Sequence, residues 1–192
     1  MKNILLNTFF VLFIFVICTI DGIAQKNTVL IAYHSVNGHT AQMAKAIQSG
    51  IVVSGDIKAI VKSVNEVKSQ ELLDADAIVI GSPVYNANPS PEILSFIKTW
   101  PFEGQPLKNK LGAVFVTAGG FSSGEELVQS SLLHAMMVYG MIVIGGDDWK
   151  SSFGASGIHE EGKYQSKELD TYFLDKGFHL GKRVADVLKK IH

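Results

Sequence analysis

The stretch Ser35-Val36-Asn37-Gly38-His39-Thr40 sets hydroxyls, an amide and an imidazole around one glycine and contains no acidic residue. A phosphate monoester needs several convergent donors and no nearby carboxylate. Backbone N–H groups at a helix start, with Ser and Thr hydroxyls, meet that need. The plainer reading of the same residues is a capped strand-to-helix connection with Thr40 as N-cap. A second stretch, Gly81-Ser82-Pro83-Val84-Tyr85-Asn86-Ala87-Asn88-Pro89-Ser90, reads as a Pro and Asn turn leading into a helix capped by Ser90. A third, Thr117-Ala118-Gly119-Gly120-Phe121-Ser122-Ser123-Gly124, carries two rival motifs. Gly119-x4-Gly124 imitates the start of a P-loop, but Glu125-Glu126 stand where Lys-Ser or Lys-Thr belongs, and two carboxylates would repel a triphosphate. Gly120-x-Ser122-x-Gly124 matches a hydrolase nucleophile elbow, followed by Asp147, Asp148, His159 and His179 in the hydrolase order. That reading leaves the first two stretches unexplained. His134, His159, His179 and His192 have neither HxxxH nor HExxH spacing, so no metal site is expected.

These stretches need elements to hold them. Thr28 to His34 is a continuous apolar run without alternation, which suits a central strand buried on both faces of a parallel sheet. From Thr40, Met43, Ile47 and Ile51 recur every four residues with Ala44 beside them, the apolar stripe of a helix that Gly50 and Gly55 would help close. Further strands are expected near 57–64, 75–81, 112–117 and 141–144. Helices are expected at 90–100, 125–139 and 166–191, with a short helical turn around 70–73. Gly145 to Lys163 is the one long loop. Strands alternating with helices in this way predict a three-layer α/β sheet with right-handed crossovers, whose ligands bind beyond the strand carboxyl ends. The three stretches fall at those ends.

The chain's 192 residues, 47% apolar and 18% charged, suffice for one packed domain and are too few for two ordinary ones. A formal net charge of -1 gives no field to recruit nucleic acid or anionic lipid. Lys2, the apolar Leu5 to Ile17 and the small residues of Gly22-Ile23-Ala24 form the three parts of a secretory signal. Residues 1–24 are accordingly expected to be removed, leaving a mature domain of residues 25–192 in a periplasmic or other extracytoplasmic compartment, with no stable membrane insertion. The single cysteine, Cys18, would leave with the signal. Ile17 before it is not the small residue that lipidation requires.

With these loops between these elements, the chain resembles the flavodoxin superfamily, whose first loop has Ser or Thr, a small turn with Gly, and then Thr gripping the phosphate of FMN. The likeness covers nearly the whole mature chain in element order. More narrowly, Tyr33-His34-Ser35-Val36-Asn37-Gly38-His39-Thr40 is similar to the Tyr-Ser-x-x-Gly-His segment of WrbA-like NAD(P)H:quinone oxidoreductases. Gly81-Ser82-Pro83 through Asn88 is similar to the family's Gly-Thr-Pro-x-x-x-x-Asn.

The resemblance implies a five-stranded parallel sheet in the order 2-1-3-4-5, one FMN, NAD(P)H as co-substrate and a quinone or similar small acceptor. It implies that Ser35, Val36, Asn37, Gly38, His39 and Thr40 hold the phosphate. Pro83 would stiffen the second loop, Val84 and Tyr85 would supply an apolar face for the ring, and Asn86 and Asn88 would hold the turn or reach the ring. Thr117, Ala118, Gly119, Gly120, Phe121 and Ser122 would meet the flavin edge and ribityl chain. No side chain is required as an essential acid or base. Trp100 and Tyr139 are candidate acceptor contacts, each equally readable as a packing residue. A homo-oligomer with pockets completed by neighbouring subunits is implied as well. Two departures stand out: residues 64–75 are too few for the insert that WrbA-like proteins carry there, and Val138-Tyr139-Gly140 stands where they present a histidine. The rival functions are a non-enzymatic flavodoxin-type electron carrier, which would usually present a strongly acidic docking surface, and a serine hydrolase at Ser122.

Overall fold

The computed structural model describes residues 27–191. The expected signal (1–24), Cys18 and His192 lie outside the described residues. The elements are β1 (Thr28–Tyr33), α1 (His39–Val52), β2 (Lys58–Ser63), α2 (Ser69–Asp74), β3 (Ala77–Tyr85), β4 (Asn88–Pro89), α3 (Pro91–Lys98), β5 (Leu111–Ala118), α4 (Glu125–Val138), β6 (Ile142–Val143), β7 (Ala155–Ile158) and α5 (Thr171–Ile191).

Alternation along β1 explains the layering. Val29 and Ile31 point into one core with α1 and α5 residues such as Ile47 and Leu180. Leu30 and Ala32 point into the other with Leu72, Ile93 and Leu132 from α2, α3 and α4. Both faces are covered, so the strands that serve them carry apolar side chains at successive positions. On the first face α1 and α5 cross at backbone contact. A Cβ on Gly181 would lie 2.0 Å from the Ile47 carbonyl oxygen, and one on Gly50 1.9 Å from that of Phe178. Gly50 therefore sits within α1 as a crossing point and does not close the helix as expected.

The sheet order is β2-β1-β3-β5-β6, with β4 pairing β3 and β7 pairing β5. The expected five strands in the order 2-1-3-4-5 become seven. The last position is occupied by two short strands: β6 lies beside the start of β5 (Leu111 with Ile142) and β7 beside its end (Phe115 with Ala155). Between them Gly145-Gly146-Asp147-Asp148 has neither the side chains nor the φ/ψ preferences to continue a ladder, so residues 144–154 loop out. The long loop expected at 145–163 thus contains a strand. β3 also runs past Gly81 to Tyr85 and turns back through a two-residue hairpin onto β4. Asn86 and Ala87 both have positive φ, 50° and 59°, which makes this a type I′ turn. α5 begins at Thr171, later than the expected 166, because Leu169 N–H is taken by Gln42 Oε1 at 2.7 Å and Asp170 accepts the Tyr172 N–H at 2.8 Å. No helix of the described residues is long and apolar enough to cross a membrane.

Candidate functional site

β1, β3 and β5 are parallel neighbours, so their carboxyl ends lie side by side and the loops after His34, Ser82 and Thr117 converge. Together they wall a cavity of about 200 Å³. From the first loop it is lined by Ser35, Val36, Asn37, His39 and Thr40; from the second by Pro83, Val84 and Tyr85; from the third by Thr117, Ala118 and Gly119. Gly38, Asn86, Asn88, Gly120, Phe121 and Ser122 are outside its wall.

The first loop is built around the entrance of α1. Gly38 is the N-cap with φ 91°, a backbone conformation that glycine adopts without penalty. Thr40, the alternative N-cap in the sequence, lies inside the helix. A helix leaves its first N–H groups without intrahelical acceptors. Here Ser35 Oγ accepts from Gly38 N at 3.2 Å and Ala41 N at 3.3 Å, so a serine hydroxyl occupies a seat that suits a phosphate oxygen. Thr40 and Thr117 hydroxyls bond at 2.7 Å with both residues 2% exposed, which ties the helix entrance to the end of β5.

The second loop is held by its own polar groups. Ser82 Oγ accepts from Ser90 N at 2.9 Å across the hairpin, and Ser90 caps α3 by accepting from Ile93 N. Asn88 Nδ2 donates to Asn86 O at 2.8 Å, so of the two roles open to these asparagines the one visible is holding the turn. In the third loop, Glu125 accepts from Ser122 N and Ser123 N at 3.1 and 3.0 Å, and Glu161 accepts from Phe121 N at 2.6 Å. The amides that a P-loop would offer to phosphate are thus taken by carboxylates.

His159 and Glu160, just past β7, also line the cavity; the sequence offered His159 only as a hydrolase partner and Glu160 not at all. The first loop lacks acidic residues in sequence, yet the fold brings Glu160 beside it. The His159 ring stacks on His39 with centroids 3.9 Å apart. Burial foremost, and then His39, hold the His159 imidazole below the usual histidine range, while Glu160 pulls the other way. A signal did exist: His159-Glu160-Glu161 follows a strand that pairs with β5, but Ala155-Ser-Gly-Ile has weak strand propensity and passes as loop.

The other expected candidates lie elsewhere. Trp100 is 4% exposed and packs edge-on against Phe96 and Tyr139, whose hydroxyl donates to Ile97 O at 3.2 Å. Both belong to the α3–α4 core, where large aromatic area is best buried. Ser122 is exposed, with φ 58°. Among the described residues neither histidine of the hydrolase motif bonds it: His159 stacks on His39, and His179 pairs with Asp147 at 2.9 Å. No cluster of three His, Cys, Asp or Glu among the described residues could hold a metal ion. A larger groove of about 590 Å³ between α2 and α3 shares no residue with the three loops. We place the site at the smaller cavity because the strand ends and helix entrance converge there.

A parallel sheet covered on both faces, with a hydroxyl-lined helix entrance and two further loops gathered at its carboxyl edge, defines a flavodoxin-like protein. Solved structures agree in fold: the WrbA-like flavodoxin of Agrobacterium tumefaciens superposes with a TM-score of 0.69 at 20% identity, covering 85% of this chain and 98% of that one. The chain belongs to the NADPH-dependent FMN reductase family, a family of FMN-dependent oxidoreductases, whose sequence model matches residues 54–156. Among curated relatives, a flavodoxin of Clostridium saccharobutylicum is 31% identical over 163 residues, covering 84% of this chain and 97% of its own. An NAD(P)H dehydrogenase (quinone) of Archaeoglobus fulgidus is 28% identical over 191 residues, covering 85% and 98%.

Proposed function

We propose that this chain binds one FMN in the three-loop cavity and passes electrons from NAD(P)H to a quinone or similar small acceptor. The observation that carries the reading is the meeting of an anion-ready helix entrance with two glycine- and proline-containing loops at one sheet edge. In this reading Ser35, Asn37, Thr40 and the first N–H groups of α1 hold the phosphate. Val84 and Tyr85 present the apolar face for the ring, with Tyr85 still 42% exposed before anything is stacked on it. The Ala118 and Gly119 backbone borders the ring edge, where a side chain on Gly119 would meet Glu160. Two-electron redox chemistry is what a bound flavin supplies. The protein's part is to orient the ring and leave one face open, so that reductant and acceptor visit in turn.

Export by the 1–24 signal is part of the proposal and implies that flavin or reducing equivalents reach the protein outside the cytoplasm. So is self-association, supported by Leu127, Met137 and Val138, which are more than half exposed on α4. The test is to titrate the purified protein with FMN, follow the flavin spectrum, and then add NADH with and without a quinone. NADH-dependent bleaching and quinone-dependent recovery are expected. Tight FMN binding with no NADH oxidation would favour instead the electron-carrier reading, which the likeness to a curated flavodoxin supports.

A further inference from the structure

Two imidazoles stand at the entrance of the phosphate loop: His39, which the resemblance assigns to the phosphate, and His159, to which it assigns nothing. His39 begins α1 and His159 follows β7; their planes are 10° apart, and the side chains are nearly enclosed, His39 at 8% exposure and His159 at 13%. The carbonyl of Ser166 lies 3.3 Å from His39 Nε2, so that nitrogen carries the proton in the neutral ring and Nδ1 is the one able to accept another. His159 Nδ1 is buried without a hydrogen-bond partner, 3.6 Å from Glu160 Oε1. Two stacked imidazolium ions would repel each other, so the pair accommodates one added proton. His159, with this orphaned nitrogen, and the first loop line one cavity. A dianion in the loop would supply the charge that a proton on the pair needs.

We propose that the His39–His159 pair takes up one proton as the FMN phosphate enters the Ser35–Thr40 loop, so that this chain selects phosphorylated flavin over riboflavin through a proton-linked charge pair. The proposal rests on the FMN site inferred above and assigns it a specificity determinant. The remaining titratable groups around the pair come from two segments. The residues after β7 contribute Glu160 and, across an outer cavity of about 560 Å³, Lys167; the second loop contributes Tyr85. α1 and the third loop add no other titratable side chain to these walls. Glu160 opposes the phosphate and is 65% exposed, whereas the Lys167 ammonium favours the anion. Burial disfavours the charged form of His159 in the free protein, and an anion in the loop would offset that cost.

The test is calorimetry of FMN and of riboflavin into the wild-type protein at pH 7.5, in two buffers of different ionisation enthalpy. Free FMN is already mostly a dianion there, since a phosphomonoester's second pKa is about 6. Uptake near one proton per FMN and none per riboflavin is expected. The FMN Kd should rise about tenfold per pH unit above pH 7 while that of riboflavin stays level. His39→Gln and His159→Gln should each abolish the uptake and reduce the preference for FMN over riboflavin about tenfold at pH 7. FMN binding without proton uptake, equal uptake with riboflavin, or uptake that survives both substitutions would overturn the proposal and leave the FMN site standing. Absence of FMN binding at every pH would overturn both.

Discussion

The hydroxyl pair Thr40–Thr117 is the contact that locks the first loop to the third, and its removal has a calculable cost. Thr117→Val replaces a hydroxyl by a methyl of nearly equal volume and leaves Thr40 Oγ1 facing an apolar group in a position 2% exposed. An orphaned buried hydroxyl costs about 1–3 kcal/mol. Thr40 stands in the first turn of α1, where no helical carbonyl lies a turn earlier to accept the freed O–H, so the low end of that range does not apply and about 2 kcal/mol is expected. For a domain of this size that lowers Tm by roughly 4–8 °C. Thr40→Val should cost a similar amount for the reciprocal reason. The double variant removes both partners and leaves nothing unpaired, so it should cost about as little as one substitution alone. Urea denaturation of wild type, both single variants and the double variant, followed by circular dichroism, gives the coupling directly. Single-variant effects that add to within about 0.5 kcal/mol would refute the bond, and with it the mechanical link between the two loops.

Gly181→Ala would drive a methyl into the Ile47 carbonyl, which the α1 backbone cannot vacate; a loss of about 3 kcal/mol or more, read from urea midpoints, is expected. Ala87→Gly should stabilise by about 0.5–1 kcal/mol, because residue 87 has φ 59° and Asn-Gly is the preferred type I′ pair; a lowered Tm would contradict the turn assignment. His159 has a folded-state pKa below its unfolded value, so the unfolded chain binds the proton first as pH falls. Its contribution to stability is intact above about pH 6.5 and is lost below it, and denaturation midpoints at pH 5.5 and 7.5 should differ less in His159→Gln than in wild type. Ser122 has no histidine partner among the described residues, so p-nitrophenyl ester cleavage should not exceed the background rate, and Ser122→Ala should change nothing.

Most of the architecture was legible in residue order because parallel strands buried on both faces must be apolar throughout. Thr28 to His34 and Gly112 to Thr117 carry that signal, and the four-residue spacing of Met43, Ile47 and Ile51 marks α1. The three loops could be found for a related reason: a rule about strand carboxyl ends turns a list of strands into a list of candidate sites. The sequence by itself therefore determined the layers, the three loops that converge on the candidate site and the donors at the helix entrance. Tertiary structure decided the rest. It split the last strand position around the Gly145–Asp148 break, enclosed Trp100 with Tyr139 in the core, and carried His159 and Glu160 against His39, more than a hundred residues earlier in the chain. Local patterning records what each residue does within its own element. Which charges meet across the sheet edge depends on the register of β7 against β5, and three weak strand formers followed by one isoleucine do not announce that register in advance.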